Sequence, residues 1–380
     1  MSSVVERDAA GGTLWRQDKR HLWLVSVITP AAPGIGAALV MLTGNGLWAF
    51  FALAVYYGLV PALDMLVGED PFNPPEELVE ALSADPWYRA LLFATLPVYY
   101  VSLALSVVAA GTMDLPFWAF LGLALGAAAS SGPALVVGHE LGHKPGRAEQ
   151  AGAKIACALT GYAHFCIEHN RGHHVQVATP EDPASSRFGE SLYAFAAREL
   201  PGALVRGWGL EAERLRRKGL PVWSWRNDLL QGYALHLALV AASAAAFGWP
   251  MLLFFAVHDL AGWFHLTMAN YVEHYALLRA KRPDGRYEPC QPRHSWNTNH
   301  IVSNLMLFHL QRHSDHHANP LRPYQALRNF DGLPRLPSGY PGSFLLALVP
   351  PLWFRVMDQK ALAWAGGDAE KLNRGPAGAR

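Results

Sequence analysis

The chain has 380 residues, of which 51% are hydrophobic and only 16% are charged, whereas ordinary soluble domains carry about 25% charged residues. This composition excludes an ordinary soluble protein and favours one that lies in a membrane. The formal net charge of +1 gives no sign of a nucleic-acid partner. Three cysteines without a Cys-x-x-Cys pair exclude both a disulfide framework and a cysteine-held metal cluster.

Six apolar stretches are long enough to cross a bilayer, which requires about 20 residues. The first contains Pro30 and Pro33, which predict a bend, and short turns join the six stretches into three hairpins. We expect no cleavable signal peptide before them. We expect the spans at about 22–43, 47–68, 90–111, 116–138, 229–247 and 250–272.

The positive charges predict the orientation of these spans. All 31 Lys and Arg residues lie outside the three short turns, so the positive-inside rule places both termini and the long polar segments in the cytoplasm. Residues 139–228 and 273–380 are too polar to cross and should form a cytoplasmic helical cap. The sequence therefore predicts an all-α membrane protein in which residues 1–380 form a single membrane-embedded domain.

Nine of the seventeen histidines lie in four groups at the predicted cytoplasmic ends of the spans or in the cap. The groups are contained in "HELGH", "EHNRGHH", "NYVEHY" and "RHSDHH", and their members mostly stand four residues apart, a spacing that shares one helix face. Adjacent buried imidazoles need partners, which favours metal ligation. The nine are His139, His143, His169, His173, His174, His274, His313, His316 and His317.

The number of ligands distinguishes between several metal proteins. "HELGH" alone fits an intramembrane zinc metalloprotease with Glu140 as the base, but this leaves the other groups unexplained. A metal carrier or channel would distribute its ligands through the bilayer. Catalytic zinc uses about three protein ligands, whereas nine ligands suit two six-coordinate metals with positions left for dioxygen. His258, Asp259 and His265 lie inside the sixth span and are interpreted as a buried polar group.

These motifs resemble the histidine boxes of the integral-membrane alkane 1-monooxygenases, a branch of the membrane fatty-acid desaturase and hydroxylase superfamily. The resemblance extends over roughly residues 20–370 through "GEDPFNPPEE", "ATPEDPASSRFGES", "SWNTNHIVSNLMLFHLQRHSDHH" and "GLPRLPSGYPG". The wider superfamily shares only the HxxxH and HxxHH pattern. "NYVEHY" is the box that narrows the resemblance to the alkane and xylene hydroxylases.

The resemblance implies a six-helix fold and a catalytic non-haem di-iron centre, with two Fe held by the nine histidines. It implies hydroxylation of n-alkanes to 1-alkanols with dioxygen and two electrons from reduced rubredoxin, which rubredoxin reductase supplies. The expected location is a bacterial inner membrane, with the termini and the metal site on the cytoplasmic side, in alkane degradation. A hydroxylase of alkyl-aromatics and a fatty-acyl desaturase remain as alternatives.

Acidic residues beside the boxes are expected to accept hydrogen bonds from the ligating imidazoles. These are Glu140, Glu168, Asp182, Glu273 and Asp315. In the second span, the bulky side chains of Trp48, Phe51 and Tyr56 are expected to line the substrate slot, with Tyr56 limiting the chain length. The basic stretches 214–219 and 278–286 are candidate docking surfaces for acidic rubredoxin, although positive-inside retention explains the same charges.

Overall fold

The computed structural model describes residues 5–7 and 13–376. Within them, all regular structure is helical apart from a short antiparallel hairpin of Val5–Arg7 and Thr13–Arg16 and three isolated bridges. The predicted helical membrane fold is confirmed, with ends within four residues of those expected. The six candidate spans are Arg20–Thr43, Gly46–Val67, Pro86–Thr112, Phe117–Gly142, Asp228–Phe247 and Pro250–His274.

The first span bends where the prolines predict. It passes from a 3-10 segment at Gln17–Leu24 and a helical turn at Val25–Ile28 through Thr29–Ala31 into Ala32–Thr43. Because Pro33 has no N–H, the carbonyl of Thr29 lacks its α-helical donor and accepts instead from the backbone N–H of Ala32. Hydroxyl groups of other spans donate to the carbonyls at the bend, from Tyr56 to Thr29 at 2.8 Å and from Ser102 and Ser130 to Pro30 at 2.8 and 3.3 Å.

The second span changes helical type along its length. It contains a 3-10 segment at Gly46–Phe50, an α turn at Phe51–Ala54, a π segment at Val55–Leu59 and an α-helix at Val60–Val67. Tyr56 lies in the π segment and is buried against the bend of the first span. The first two spans are therefore joined by a side chain at mid-depth as well as by their turn.

The fourth span is the most buried of the six and packs closely on the sixth. A Cβ at Gly132 would meet the Cβ of His265 at 2.5 Å, so the glycine permits this approach. The fourth span carries His139 near its end, and the sixth span ends at His274. Their packing brings these two metal-ligand candidates into one layer.

A polar group lies inside the bundle, as the sequence predicts for His258 and Asp259. His258 Nδ1 is 2.8 Å from one oxygen of Asp259, and its Nε2 is 2.8 Å from the hydroxyl of Ser131. His236 Nε2 is 2.9 Å from the other carboxylate oxygen. His265 instead contacts the hydroxyl of Tyr57. These partners satisfy the polar atoms within the membrane layer.

The remaining segments surround the ends of the fourth and sixth spans. The α-helices among them are Glu76–Ala84, Arg147–Ala158, Phe165–Glu168, His174–Gln176, Leu192–Arg217, Ile301–Met306, His313–Ala318, Tyr340–Ala347 and Pro350–Trp364. A π segment occupies His169–His173. Short 3-10 segments occupy Pro292–His294, Tyr324–Ala326 and Ala369–Lys371. We refer to residues 143–227 and 275–376 as the cap.

Candidate metal centre

The nine histidines from the four sequence motifs lie together in two adjacent groups. Within each group, one ligand nitrogen per histidine lies within 4.8 Å of every other. The five-histidine group contains His139, His143, His169, His174 and His316. The four-histidine group contains His173, His274, His313 and His317.

A π-helical turn distributes the histidines of "HNRGHH" between the groups. Spacing in the sequence suggests that His169 and His173, four residues apart, share one face. The segment His169–His173 is instead π-helical, so residues five apart come together. His169 Nε2 and His174 Nε2 are 3.0 Å apart in the five-histidine group, while His173 points to the other group. This single turn therefore supplies both groups.

The spacing of the nitrogens fits metal ions. A metal bound at about 2.1 Å separates imidazole nitrogens at right angles by about 3.0 Å. Nε2 of His316 lies 2.8 Å from that of His139 and 3.0 Å from that of His174. In the other group, Nε2 of His313 lies 2.9 Å from that of His317 and 3.2 Å from that of His274.

Buried nitrogens without partners point to the same ligands. The Nε2 atoms of His143 and His173 are buried and have no hydrogen-bond partner among the described residues. A buried polar atom is normally paired, and imidazole nitrogens are ligands for iron, copper, zinc and nickel. The two groups thus fit two metal ions, one in each.

The surroundings hold these imidazoles in the neutral form that binds metals. Burial, reinforced by His139 and by Lys144, lowers the pKa of His143 to about 2. Burial likewise lowers the pKa of His174 to about 2, with His143 as the next cause. The same causes bring the pKa well below its usual range for His169, His313, His316 and His317.

Two of the acidic residues predicted to orient ligands contact them. Asp182 Oδ2 lies 2.9 Å from His173 Nδ1 and accepts from the Ser185 hydroxyl at 2.7 Å. Burial opposes ionisation of Asp182, but His173 and Arg206 outweigh it and hold its pKa below the usual range. Glu273 Oε2 lies 3.2 Å from His313 Nε2, the nitrogen that faces His274 and His317. Its other oxygen accepts from the Tyr340 hydroxyl at 2.7 Å.

The other three acidic residues bind cations or backbone groups. Glu140 lies 3.2 Å from Lys144 Nζ and accepts from the backbone N–H of Tyr324 at 3.4 Å. Asp315 accepts from Arg322 at 3.1 Å and from the backbone of Arg328 at 2.9 Å. Glu168 accepts from Arg206 at 2.8 Å. A direct role for these three in orienting imidazoles stays a prediction.

The three predicted slot residues lie in different environments. Tyr56 is buried, Phe51 is half-buried and Trp48 is 38% exposed to the surroundings of the spans. Trp48 and Phe51 also contact one another, with ring centroids 6.3 Å apart. Among the three, Tyr56 is the side chain inside the bundle. Its role in limiting chain length stays a prediction.

The sequence did not predict two side chains that contact the acidic residues beside the histidine groups. Arg206 binds both Glu168 and Asp182, and Tyr340 donates to Glu273. Neither carries a local signal, because Arg206 lies 38 residues from Glu168 and Tyr340 lies 67 residues from Glu273. The acidic residues themselves indicated that donors must exist, since buried carboxylates require partners.

Known proteins are similar to this chain over nearly its whole length. Residues 115–342 match the fatty acid desaturase family. The chain is 52% identical over 355 residues to the alkane 1-monooxygenase of Ectopseudomonas oleovorans, covering 93% of this chain and 88% of that protein. It is 52% identical over 359 residues to alkane 1-monooxygenase 1 of Alcanivorax borkumensis, covering 94% and 89%. A xylene/toluene monooxygenase hydroxylase component of Pseudomonas putida is 29% identical over 60% of this chain and 61% of its own length.

Proposed function

The chain belongs to the alkane 1-monooxygenases, within the fatty acid desaturase family, and on that premise we propose that it hydroxylates n-alkanes at a terminal carbon. The reaction consumes one alkane, one dioxygen, two electrons and two protons, and yields one 1-alkanol and one water. The observation that carries the proposal is the convergence of nine buried or half-buried histidines into two groups at the ends of the spans. Two irons held there would activate dioxygen for insertion into the C–H bond.

The spans supply what an alkane requires. An alkane offers no polar group for recognition, so it must be held by apolar contact and position. The bilayer concentrates such molecules, and His139 and His274 lie at the ends of the two closely packed spans. We infer that the chain end reaches the histidine groups from within the bundle, while the tail lies among the spans. Burial of the imidazoles keeps bulk water from that end.

The positive charges support the proposed orientation. The six apolar helices make this a multi-pass membrane protein. Lys and Arg are absent from the three short turns and abundant in the cap, as expected for a cap on the cytoplasmic side of a bacterial inner membrane. We propose that the whole chain functions as one domain, because ligands come from both the spans and the cap.

We propose that reduced rubredoxin, renewed by its reductase, delivers the electrons to the five-histidine group. His143 and His174 are the half-exposed members of that group, and Val175, next to His174, is 64% exposed. Arg279 donates to the Val175 carbonyl at 2.6 Å and lines a cleft of about 660 Å³. The cleft also contains Lys281, which would attract an acidic carrier. Two further cations of the cleft, Arg293 and Lys371, are paired with Glu288 and Asp368.

Between the two candidate docking stretches, position favours 278–286, because Arg279 contacts Val175 beside His174. Both stretches contain ion pairs, Arg214–Glu211 and Arg217–Glu213 in 214–219 and Arg282–Asp284 in 278–286. Lys281→Glu should therefore raise KM for rubredoxin several-fold, with the effect weakening as salt rises. Lys218→Glu is the matched control in the other stretch. Equal KM values for the two variants would contradict this docking site, and reduction by dithionite should be unchanged in both.

Turnover of a graded alkane series tests the proposed function directly. The purified chain, reconstituted with rubredoxin, its reductase and two irons per chain, should convert octane or hexadecane to the 1-alcohol. Incorporation of one atom from labelled dioxygen should be measured by mass spectrometry. Preferential oxidation of a xylene methyl group would indicate the alkyl-aromatic alternative, and formation of a double bond in an acyl chain would indicate a desaturase.

Metal content separates this proposal from the protease. Two irons per chain are expected, one for each histidine group. One zinc and no iron, together with peptide cleavage, would instead support the "HELGH" protease interpretation.

A further inference from the structure

Arg206 reaches the metal surroundings from the long cap helix Leu192–Arg217. Its guanidinium is mostly buried and binds three side chains. Nε donates to Glu168 at 2.8 Å, Nη1 to Gln176 at 2.7 Å and Nη2 to Asp182 at 2.7 Å. A second, shorter contact joins Nη2 to Glu168. The planar group thus connects three separate points in the cap.

The three partners surround one ligand segment. Glu168 immediately precedes His169, and Gln176 follows His174 by two residues. Asp182 contacts His173 through Nδ1, the ring nitrogen opposite the one that faces the four-histidine group. Arg206 therefore binds residues on both sides of the π-helical turn and the carboxylate that contacts His173.

The chain is built for this close approach. A Cβ at Gly172, inside the π turn, would meet Arg206 Nε at 2.6 Å. On the other side, a Cβ at Gly207 would meet the Cβ atoms of His164 and Glu168 at 3.0 and 3.3 Å. Glycines on both elements thus leave the space in which the guanidinium lies against the ligand turn.

The charges require a cation at this position. Glu168 and Asp182 are both buried, at 4% and 1% exposure, and both bind the same guanidinium. Without it, two buried carboxylates would lie side by side next to the ligands with no cation between them. The planar guanidinium group can bind both carboxylates at once through separate N–H groups, whereas the compact ammonium group of Lys cannot.

We propose that Arg206 is a positioning residue for the metal centre, which orients Asp182 and the π turn so that His173 faces one metal and His169 with His174 the other. The inference rests on the proposed metal centre. Its action is indirect, since Arg206 binds residues that contact or adjoin the ligands.

Metal binding by Arg206→Gln and Arg206→Lys in the purified full-length chain tests the proposal. Arg206→Gln should lower iron affinity about 10- to 100-fold, the usual effect of losing an orienting partner. Arg206→Lys should lie between it and the parent. The Mössbauer spectrum of the loaded protein should change mainly for the iron in the four-histidine group, a change that general destabilisation would not give.

Arg214→Gln is the matched control. Arg214 lies two turns further along the same helix and binds the buried carboxylate of Glu211 through two nitrogens at 2.6 and 2.5 Å. It should lose thermal stability but keep parental iron affinity and spectrum. Parental affinity and spectrum in Arg206→Gln would overturn the proposal. If that variant does not fold, a parental spectrum in Arg206→Lys would overturn it, because the lysine keeps the charge but not the planar group.

A double variant tests the route through Asp182. If Arg206 acts on the metal through that carboxylate, Arg206→Gln should add little to the loss of affinity in Asp182→Asn. Additive losses would contradict that route. A parent chain that binds no iron would refute the proposed function. If the parent binds iron and Arg206→Gln binds it with the same affinity and spectrum, only this inference is refuted.

Discussion

The side chain of Tyr56 has two roles in the bundle. Its ring fills space, and its hydroxyl donates to the Thr29 carbonyl. Tyr56→Ser should extend the longest alkane oxidised, because the space of the ring becomes available to the chain. Product yield against alkane length measures this. Tyr56→Phe keeps the ring and should leave the limit unchanged. An unaltered upper limit in the Ser variant would show that the ring does not bound the slot.

Glu199 should make stability depend on pH. It is buried in the cap helix and accepts from Thr267 at 2.7 Å and Asn270 at 3.2 Å, and burial raises its pKa to about 7. The ordinary value is about 4.3, so the stabilisation from this group is complete below that pH and is lost as pH rises through 7. The total is on the order of 3 kcal/mol.

Glu199→Gln should therefore flatten the fall of the unfolding temperature between pH 5 and 8 in the intact protein. Thermal unfolding followed by intrinsic fluorescence measures both slopes under identical buffers. Because other groups titrate in the same range, the difference between the two slopes is the quantity that matters. Parallel curves for the parent and the variant would show that Glu199 does not change its ionisation on unfolding.

For single residues, the sequence could predict the clustered histidines but not the side chains that hold them in place. Histidine types and short spacings single out the nine histidines that the structure brings together, because metal binding needs that side chain and local helix geometry brings neighbours together. Arg206 and Tyr340 act across long separations, and an isolated Arg or Tyr in a sequence has many roles. Their assignment depends on tertiary packing, which no local pattern encodes.

Among the elements, the bend of the first span makes a prediction about stability. The Ser102 hydroxyl donates to the Pro30 carbonyl at 2.8 Å within the bundle, where no water can replace it. Ser102→Ala should cost about 1 kcal/mol, the scale of hydrogen bonds between membrane helices. Unfolding in detergent with increasing dodecyl sulfate measures this loss.

Ser83→Ala provides the comparison for that variant. Ser83 also donates to a helix carbonyl, that of Val79, but it is exposed in the helix Glu76–Ala84, outside the spans, and water can replace its bond. It should change stability little. Equal losses in the two variants would contradict the account of the bend. The prolines made the bend predictable, whereas the donors from three other spans required the packed bundle.

The π turn at His169–His173 shows what spacing alone misses. Residues four apart share a face of an α-helix, so the sequence pairs His169 with His173. The extra residue in the turn pairs His169 with His174 instead. A π turn is costly by itself and persists where packing and ligands hold it, so it belongs to the tertiary structure rather than to a local pattern.

For the whole molecule, metal loading should control stability. Nine imidazoles crowd together in two groups, and metal bound between them stabilises the folded state by mass action, by about 4 kcal/mol at a thousand times the dissociation constant. Chelation should lower the unfolding temperature, and iron should restore it. His317→Ala should abolish iron retention and activity, while the exposed His21→Gln should preserve both. Normal activity in His317→Ala would contradict the ligand assignment.

The features of the whole fold that depend on long apolar segments could be predicted from the sequence. Span number and limits follow from lengths that match the bilayer, and the sequence places the four motifs near one membrane surface. The division into five and four histidines is not visible in the sequence. It arises from how the fourth and sixth spans cross and how the cap folds over their ends.

That division has a consequence for assembly, because "HNRGHH" and "HSDHH" each supply both groups. The first ion to bind fixes the backbone of both segments, so the second meets ligands that are already ordered and binds more tightly. Iron uptake should therefore be cooperative. At half the saturating iron, native mass spectrometry should find mostly empty and doubly loaded chains, with few that carry a single ion.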